Sequence, residues 1–132
     1  MTSNAPSRTR SSRTRNRAAL LAAAAGLSLL ALAGCSAEAE PVPSDDNAKD
    51  IGAVVQVLDN KYEPAKVEIE VGQAVRWEFV ARDKHDVVST DRSFVSELTP
   101  GGTTYTHIFD EPGEYSYTCS IHPEMVGVVT VK

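Results

Sequence analysis

Apolar and polar residues alternate with a period of two through most of the chain after residue 50. The two clearest segments flank a Gly-Gln turn, and their apolar positions are Val67, Ile69, Val71, Val75, Trp77 and Phe79. This period is typical of β-strands that bury one face. No segment shows the 3.6-residue period of an amphipathic helix. The pattern therefore predicts an all-β fold.

Further short apolar runs follow the same period and are separated by turn-forming sequences. They lie at residues 53–58, 85–89, 94–98, 103–109, 114–119 and 126–131. The sequences NKYEP, TPGG and DEPGE between runs carry the Gly and Pro residues that turns require. Seven to eight short strands with such spacing predict a Greek-key β-sandwich. We expect residues 51–132 to form this one domain.

The N-terminal region has a different pattern, that of a targeting segment. Residues 1–17 contain five Arg and no acid, and residues 18–33 are apolar except for one Ser. A run this short after a basic segment predicts a secretory signal, because a membrane-spanning helix needs about 20 apolar residues. The sequence LAGC, which ends at Cys35, resembles the bacterial lipobox, where the signal is cut before an acylated Cys. We therefore expect residues 1–34 to be a lipoprotein signal peptide; simple secretion and an uncleaved anchor are the alternatives.

Charge changes when the signal is removed. The remaining chain holds 8 basic and 18 acidic residues, a net charge of −10. Such a chain would repel nucleic acid and anionic headgroups, so we expect no nucleic-acid partner and membrane attachment through lipid alone. Stable attachment takes more than one acyl chain, which the lipobox resemblance implies for Cys35. Residues 36–50 are rich in acids and Pro, so they predict a flexible acidic linker.

Cysteine usage directs attention to the C-terminal end. The chain has two Cys, and lipidation of Cys35 would leave Cys119 without a disulfide partner. A lone Cys can be a small buried hydrophobe or a metal-bound thiolate. His122 and Met125 follow at three-residue intervals, and Met125 is the only Met after the initiator. These three donors within seven residues predict a metal site in the turn before the last strand.

The softness of these donors indicates the metal. Thiolate, thioether and imidazole together favour copper, and a His₂Cys set with a weak axial Met is typical of electron-transfer copper sites. Zinc gains little from a thioether, and the C-x-x-C-H sequence of a c-type haem is absent. A second His is needed, either His85 at a strand edge or His107 within a strand. Spacing favours His85 only modestly.

The domain resembles the plastocyanin/azurin-type cupredoxins, which are small type 1 copper proteins. The matching motifs are VEIEVGQAVRWEF, KHDVVS, FVSELTPGGTTYTHIFDEPGEYSYTCSIHPEM and GVVTV, which together cover about residues 53–131. The short ligand loop is most similar to that of amicyanins. The resemblance implies one copper held by His85, Cys119 and His122 with Met125 axial, a role in single-electron transfer, and a structural role for His107.

Two positions depart from the pattern of this family. The residue after the first ligand His is often Asn, whose amide joins the two ligand loops, and here it is Asp86. A carboxylate donates no hydrogen bond unless it is protonated, so we expect a different arrangement around the ligands. Thr118 stands where plastocyanins have an aromatic residue that serves as a second electron exit. We expect that route to be closed.

Electrons would then enter and leave through His122. The neighbouring Ile121, Pro123 and Glu124 are candidates for partner docking, which would be weak and salt-dependent. Donor and acceptor would be redox proteins outside the cytoplasm, and a monomer is the default expectation. Three His in one small domain are too few for a multicopper oxidase, so we expect no enzyme. A surface-tethered copper carrier or storage protein, and a structural lipoprotein with an empty or zinc-filled site, are the alternatives.

Aromatic side chains could serve either as redox relays or as core residues. Tyr62, Trp77, Tyr115 and Tyr117 are the candidates, and strand parity favours the core for Trp77, Tyr115 and Tyr117. Tyr115 in the sequence PGEY resembles a corner tyrosine, whose hydroxyl holds a nearby loop.

Overall fold

The fold was analysed in a computed structural model that describes residues 40–132. The signal segment 1–34, Cys35 and residues 36–39 lie outside the described residues. Within them the chain forms eight strands, which confirms the all-β prediction. The strands are β1 (Ile51–Leu58), β2 (Lys61–Glu63), β3 (Lys66–Ile69), β4 (Ala74–Phe79), β5 (Val88–Ser89), β6 (Thr104–Ile108), β7 (Gly113–Cys119) and β8 (His122–Val131). In this part of the chain no helix is long and apolar enough to cross a bilayer.

The strands form two four-stranded sheets, as the sandwich prediction requires. One sheet has the order β2-β1-β4-β6 and the other β3-β8-β7-β5. The pairs β1·β4 and β3·β8 are parallel, and the remaining pairs are antiparallel. β1 and β4 are the central strands of one sheet and β7 and β8 those of the other, and Trp77 of β4 contacts Tyr117 of β7 between the sheets.

Aromatic rings fill the core between the sheets. Trp77 of β4 stacks on Phe94 with ring centroids 5.4 Å apart, and it meets Tyr117 of β7 edge-on at the same separation. All three side chains are fully buried. The predicted core positions of Trp77 and Tyr117 are therefore confirmed, whereas Tyr115 is only partly buried against the same core. Burial of aromatic surface on this scale stabilises the sandwich.

Two local features fix the strands β7 and β8. The ring of Tyr117 lies across Gly127 of the paired strand, where any Cβ would collide with it. The Tyr115 hydroxyl donates a hydrogen bond of 3.0 Å to the backbone oxygen of Glu111. This contact to a residue a few positions upstream confirms the corner-tyrosine prediction. Both features hold the strand that ends at Cys119.

Some strand boundaries differ from the sequence-based prediction. The predicted turn NKYEP contains strand β2, because Tyr62 buries its ring while the strand pairs with β1. Residues 94–98 form no regular strand; only single bridges join Val95 to Val88 and Thr99 to His85. The chain folds back tightly after β5, where the Ser89 amide donates to the Phe94 carbonyl at 3.0 Å, so pairing cannot extend.

The segment predicted to be a flexible linker also differs in its described part. The Val42 amide donates to the Val95 carbonyl at 2.7 Å, and the Asp45 amide donates to the Thr106 carbonyl at 2.8 Å. In return, the amides of Thr106 and Ile108 donate to side-chain oxygens of this segment, at 2.9 and 3.0 Å. β6 is an edge strand with unpaired backbone groups, and short polar side chains of the segment satisfy them.

Candidate metal centre

His85 lies just before β5 and is held by backbone pairing. Its amide donates to the Thr99 carbonyl at 3.0 Å, and the Thr99 amide donates back at 2.9 Å. The imidazole is 1% exposed, and its Nε2 atom lies 3.6 Å from a carboxylate oxygen of Asp59. Among residues 40–132 Nε2 has no hydrogen-bond partner, because the Asp59 oxygen is too far away to accept.

Cys119 and His122 lie on either side of the β7-β8 turn. Cys119 is the last residue of β7, His122 is the first of β8, and their Cα atoms are paired across the hairpin. The ladder shifts register between Thr118 and Cys119, which marks a bulge. The predicted loop is therefore only two residues long. Because a bulge re-aims the side chains beside it, the turn can direct thiol and imidazole toward the same point.

The thiol and the two imidazoles converge. Cys119 Sγ lies 3.8 Å from His85 Nδ1 and 3.7 Å from His122 Nδ1. All three donor atoms lie within 4.8 Å of one another. Metal–sulfur bonds of about 2.3 Å and metal–nitrogen bonds of about 2.0 Å, about 120° apart, would separate the sulfur from each nitrogen by about 3.7 Å. The observed spacing therefore fits a trigonal His₂Cys site.

Met125 lies three residues after His122 on β8. Its side chain is 1% exposed and belongs to the same buried cluster as Cys119. The next buried positions on this strand are Gly127 and Val129, so Met125 faces the interior of the sandwich. Its thioether is thus buried in the same cluster as the Cys119 thiol, and it would be available to a metal as the fourth ligand that the resemblance implies.

Asp86 joins the two segments that carry the donors. One carboxylate oxygen accepts a hydrogen bond of 2.7 Å from the Ser120 amide, and the other accepts one of 2.5 Å from the Ser120 hydroxyl. Its backbone oxygen accepts a 2.7 Å hydrogen bond from the buried Tyr62 hydroxyl. The expected difference from the Asn pattern is therefore present as a carboxylate that accepts rather than an amide that donates.

The surroundings of Cys119 determine its protonation. Burial raises the pKa of the thiol, while hydrogen bonds from the backbone of Asp86 and Ile121 act in the opposite direction. Within the described part of the chain the side chain forms no disulfide, and it is 1% exposed. Since only the thiolate binds metal strongly, metal binding must displace this proton.

His107, the other candidate, lies apart from this cluster. Its ring packs against Phe94 at 5.1 Å and against Phe109 at 4.9 Å, and its Nδ1 atom is 3.6 Å from an Asp45 oxygen. Burial lowers the pKa of His107, and the carboxylates of Asp45, Asp110 and Asp91 oppose this shift. The His107 ring packs between aromatic side chains and away from the three donors, which supports a structural role.

Exposed apolar side chains lie on the surface around the ligand turn. Ile121 is 51% exposed, Val126 is 57% exposed, and the half-buried His122 lies between them in sequence. Pro123 and Glu124 are exposed as well, as a docking role would require. Leu98, 42% exposed, lines a groove together with Ile121.

Sequence reasoning missed Leu98, Asp59 and Ser120. Leu98 and Asp59 lie more than 20 residues from the ligand turn, and only the tertiary fold brings them near it. Ser120 was visible between Cys119 and His122, but its contact with Asp86 spans 34 residues. No local pattern would have revealed these contacts.

A two-sheet β-sandwich that gathers a thiol, two imidazoles and a buried thioether around one turn has the architecture of a type 1 copper protein. The chain belongs to the cupredoxin-like domain family, whose sequence profile matches residues 22–131. The family and the donor cluster together define a site for one type 1 copper. At the level of the family, the protein is a blue copper electron carrier.

Individual relatives agree with this assignment. Amicyanin from Paracoccus denitrificans is 28% identical over 120 residues, covering 83% of this chain and 92% of the relative. Chloroplastic plastocyanin from Tetradesmus obliquus is 34% identical over 96 residues, covering 63% of this chain and 62% of the relative. The structure of a purple cupredoxin from Nitrosopumilus maritimus is similar with a TM-score of 0.58 and 32% identity, covering 61% of this chain and 99% of that one.

Proposed function

We propose that this protein carries single electrons between redox partners outside the cytoplasm, with a copper held by His85, Cys119, His122 and Met125. The observation that carries the proposal is the convergence of three soft or borderline donor atoms within 4.8 Å of one another. Copper in such a site supplies a one-electron couple that accepts nearly the same geometry in both oxidation states.

The protein's contribution is to fix the donors before and after transfer. Backbone pairing with Thr99 holds His85, and the β7-β8 hairpin holds Cys119 and His122. Cys119 is buried, so solvent has little access to the thiol. A fixed, largely dry ligand set limits rearrangement when the charge of the site changes, which favours fast exchange of electrons.

Electrons would enter and leave through His122, the least buried of the four proposed ligands. The exposed apolar side chains of Ile121 and Val126 beside it suit a small, transient contact with a partner. Glu124 adds a negative charge to this face and favours a neutral or basic docking site. Thr118 offers no aromatic ring for a second route.

Attachment to the outer face of a membrane through an acylated Cys35 is part of the proposal. Its support is the basic N-terminal segment, the short apolar run and the LAGC sequence. A Cys35→Ser variant should appear in the soluble fraction of cells, while the wild type sediments with membranes. Mass spectrometry of the N-terminal peptide should detect acyl chains only in the wild type. An unmodified Cys35 would overturn the lipid anchor but not the copper site.

The central test is a visible absorption spectrum with one equivalent of Cu(II). The wild type should show an intense blue thiolate-to-copper band that bleaches with ascorbate and returns with an oxidant. Cys119→Ser should lack the band, whereas His107→Gln, the matched change of a His outside the cluster, should keep it. A colourless wild type would overturn electron transfer and favour the copper carrier or storage alternative.

A further inference from the structure

We propose that the buried negative charge of Asp86, the residue that joins the two ligand segments, favours Cu(II) over Cu(I). This inference rests on the proposed copper ligands. It assigns a role to the Asp that replaces the usual Asn of the family.

The geometry of Asp86 supports the joining role. Asp86 directly follows His85, and Ser120 directly follows Cys119, so one side-chain contact links the two ligand segments. Both carboxylate oxygens take part, accepting from the Ser120 amide at 2.7 Å and from its hydroxyl at 2.5 Å. The Tyr62 hydroxyl holds the Asp86 backbone from the other side at 2.7 Å. Asp86 is therefore held through its side chain and through its backbone.

The hydrogen-bond pattern suits a charged group. The Ser120 amide can only donate, and an ionised carboxylate accepts at both oxygens, so each donor meets an acceptor. Such charge-assisted bonds are shorter and stronger than neutral ones. The side chain is 5% exposed, and the ion pairs found within residues 40–132 do not include Asp86. Its charge is thus poorly screened by water or by a cation.

A buried negative charge beside the site acts differently on the two copper states. Cu(II) carries one more positive charge than Cu(I), so an adjacent carboxylate stabilises the oxidised state more. At an effective dielectric constant of about 20, a unit charge within about 10 Å changes such an equilibrium by about tenfold. Asp86 should therefore lower the reduction potential.

Asp86→Asn separates the charge from the joining role. The amide oxygen can still accept from the Ser120 backbone, and the amide nitrogen can donate to the Ser120 hydroxyl, which also accepts. The charge is lost while both contacts are kept, one of them with its direction reversed. Asp86→Ala removes both hydrogen bonds, and Ser120→Ala removes one while keeping the charge. Asp83→Asn is the matched control, because Asp83 is exposed and lies two residues before His85.

The first experiment measures the reduction potential of the full-length copper protein and these variants. Asp86→Asn should stay blue and shift the ratio of Cu(II) to Cu(I) affinity about tenfold toward Cu(I), a rise of about 59 mV for one electron. Asp83→Asn should shift this ratio far less, because water screens its charge. Equal shifts in the two variants would overturn the electrostatic role. A wild type without the blue band would instead overturn the proposed function itself.

The second experiment needs no copper. Hydrogen exchange of the Ser120 amide in the apoprotein should be slow in the wild type and in Asp86→Asn, but faster in Asp86→Ala. Near-UV circular dichroism checks that each variant is folded, and Ser120→Ala provides a milder change if Asp86→Ala is not. With copper, Ser120→Ala should alter the electron paramagnetic resonance spectrum while the potential moves less than in Asp86→Asn. Unchanged exchange in Asp86→Ala, or an unchanged spectrum in Ser120→Ala, would overturn the joining role.

Discussion

His85 and His107 have similar surroundings by several measures but opposite roles. Each ring is largely buried, and each has one nitrogen 3.6 Å from a carboxylate oxygen, of Asp59 for His85 and of Asp45 for His107. The other nitrogen of His85 faces the thiol of Cys119, whereas His107 packs against the rings of Phe94 and Phe109. Burial and a nearby acid therefore do not identify a metal ligand; convergence with other donors does.

The largest expected difference between the two His residues concerns copper. His85→Ala should abolish the blue band and weaken Cu(II) binding by more than about 100-fold, since even outer partners of a ligand commonly contribute 10–100-fold. His107→Ala should keep the band and bind copper as the wild type does. Absorption titration with Cu(II) measures both. If His85→Ala kept the blue band, His85 would not be a required ligand, and its proposed difference from His107 would be wrong.

The next difference concerns stability without copper. His107→Ala removes the ring that contacts Phe94 and Phe109, so it should lower the free energy of unfolding by about 1–3 kcal/mol. Urea denaturation of the apoprotein, followed by the fluorescence of the buried Trp77, measures this change. His107→Gln should lose less, because it retains part of the side-chain volume. An apoprotein unaffected by His107→Ala would contradict the structural role.

The strands, the metal centre and the segment before β1 show how much of the structure the sequence could predict. Alternating positions such as Trp77 and Tyr117 predicted the sandwich, because strand parity is a local property. The three donors after residue 118 also predicted their own cluster, since they share one turn. Asp59 and the contact of Asp86 with Ser120 could not be predicted, because they depend on how distant segments pack. Likewise, the composition of residues 36–50 indicated flexibility and gave no sign of the edge of β6 that Ser44 and Asp45 occupy.

A smaller effect is expected from the segment beside His107. Asp45→Ala removes the acceptor of the Ile108 amide and the carboxylate 3.6 Å from His107. We expect a loss of about 0.5–1.5 kcal/mol in unfolding free energy, the usual net value of one hydrogen bond. Asp46→Ala is the control, because within residues 40–132 the Asp46 carboxylate bonds to the Ser44 hydroxyl and to no residue of β6. Equal losses in both variants would mean that the contact with β6 contributes nothing specific.

The smallest expected effect is a pH dependence of the free energy of unfolding that is due to His107. Burial lowers the pKa of His107 in the folded protein, despite the opposing carboxylates of Asp45, Asp110 and Asp91. As the pH falls through about 6.5, the unfolded chain therefore takes up this proton before the folded chain does. Protonation of the unfolded state lowers stability, so stability should fall with pH.

This pH effect is measured as the difference in unfolding free energy between the wild type and His107→Gln. Both chains share every other titrating group, so the wild type should lose more unfolding free energy than the variant between pH 7.5 and pH 5. Urea unfolding of the apoproteins across this range gives the two curves. Parallel curves would mean that the folded protein leaves the pKa of His107 unchanged. A wild type that gains relative stability in acid would mean that Asp45 and its neighbours outweigh burial, making His107 the cation of an ion pair that holds residues 42–45 to β6.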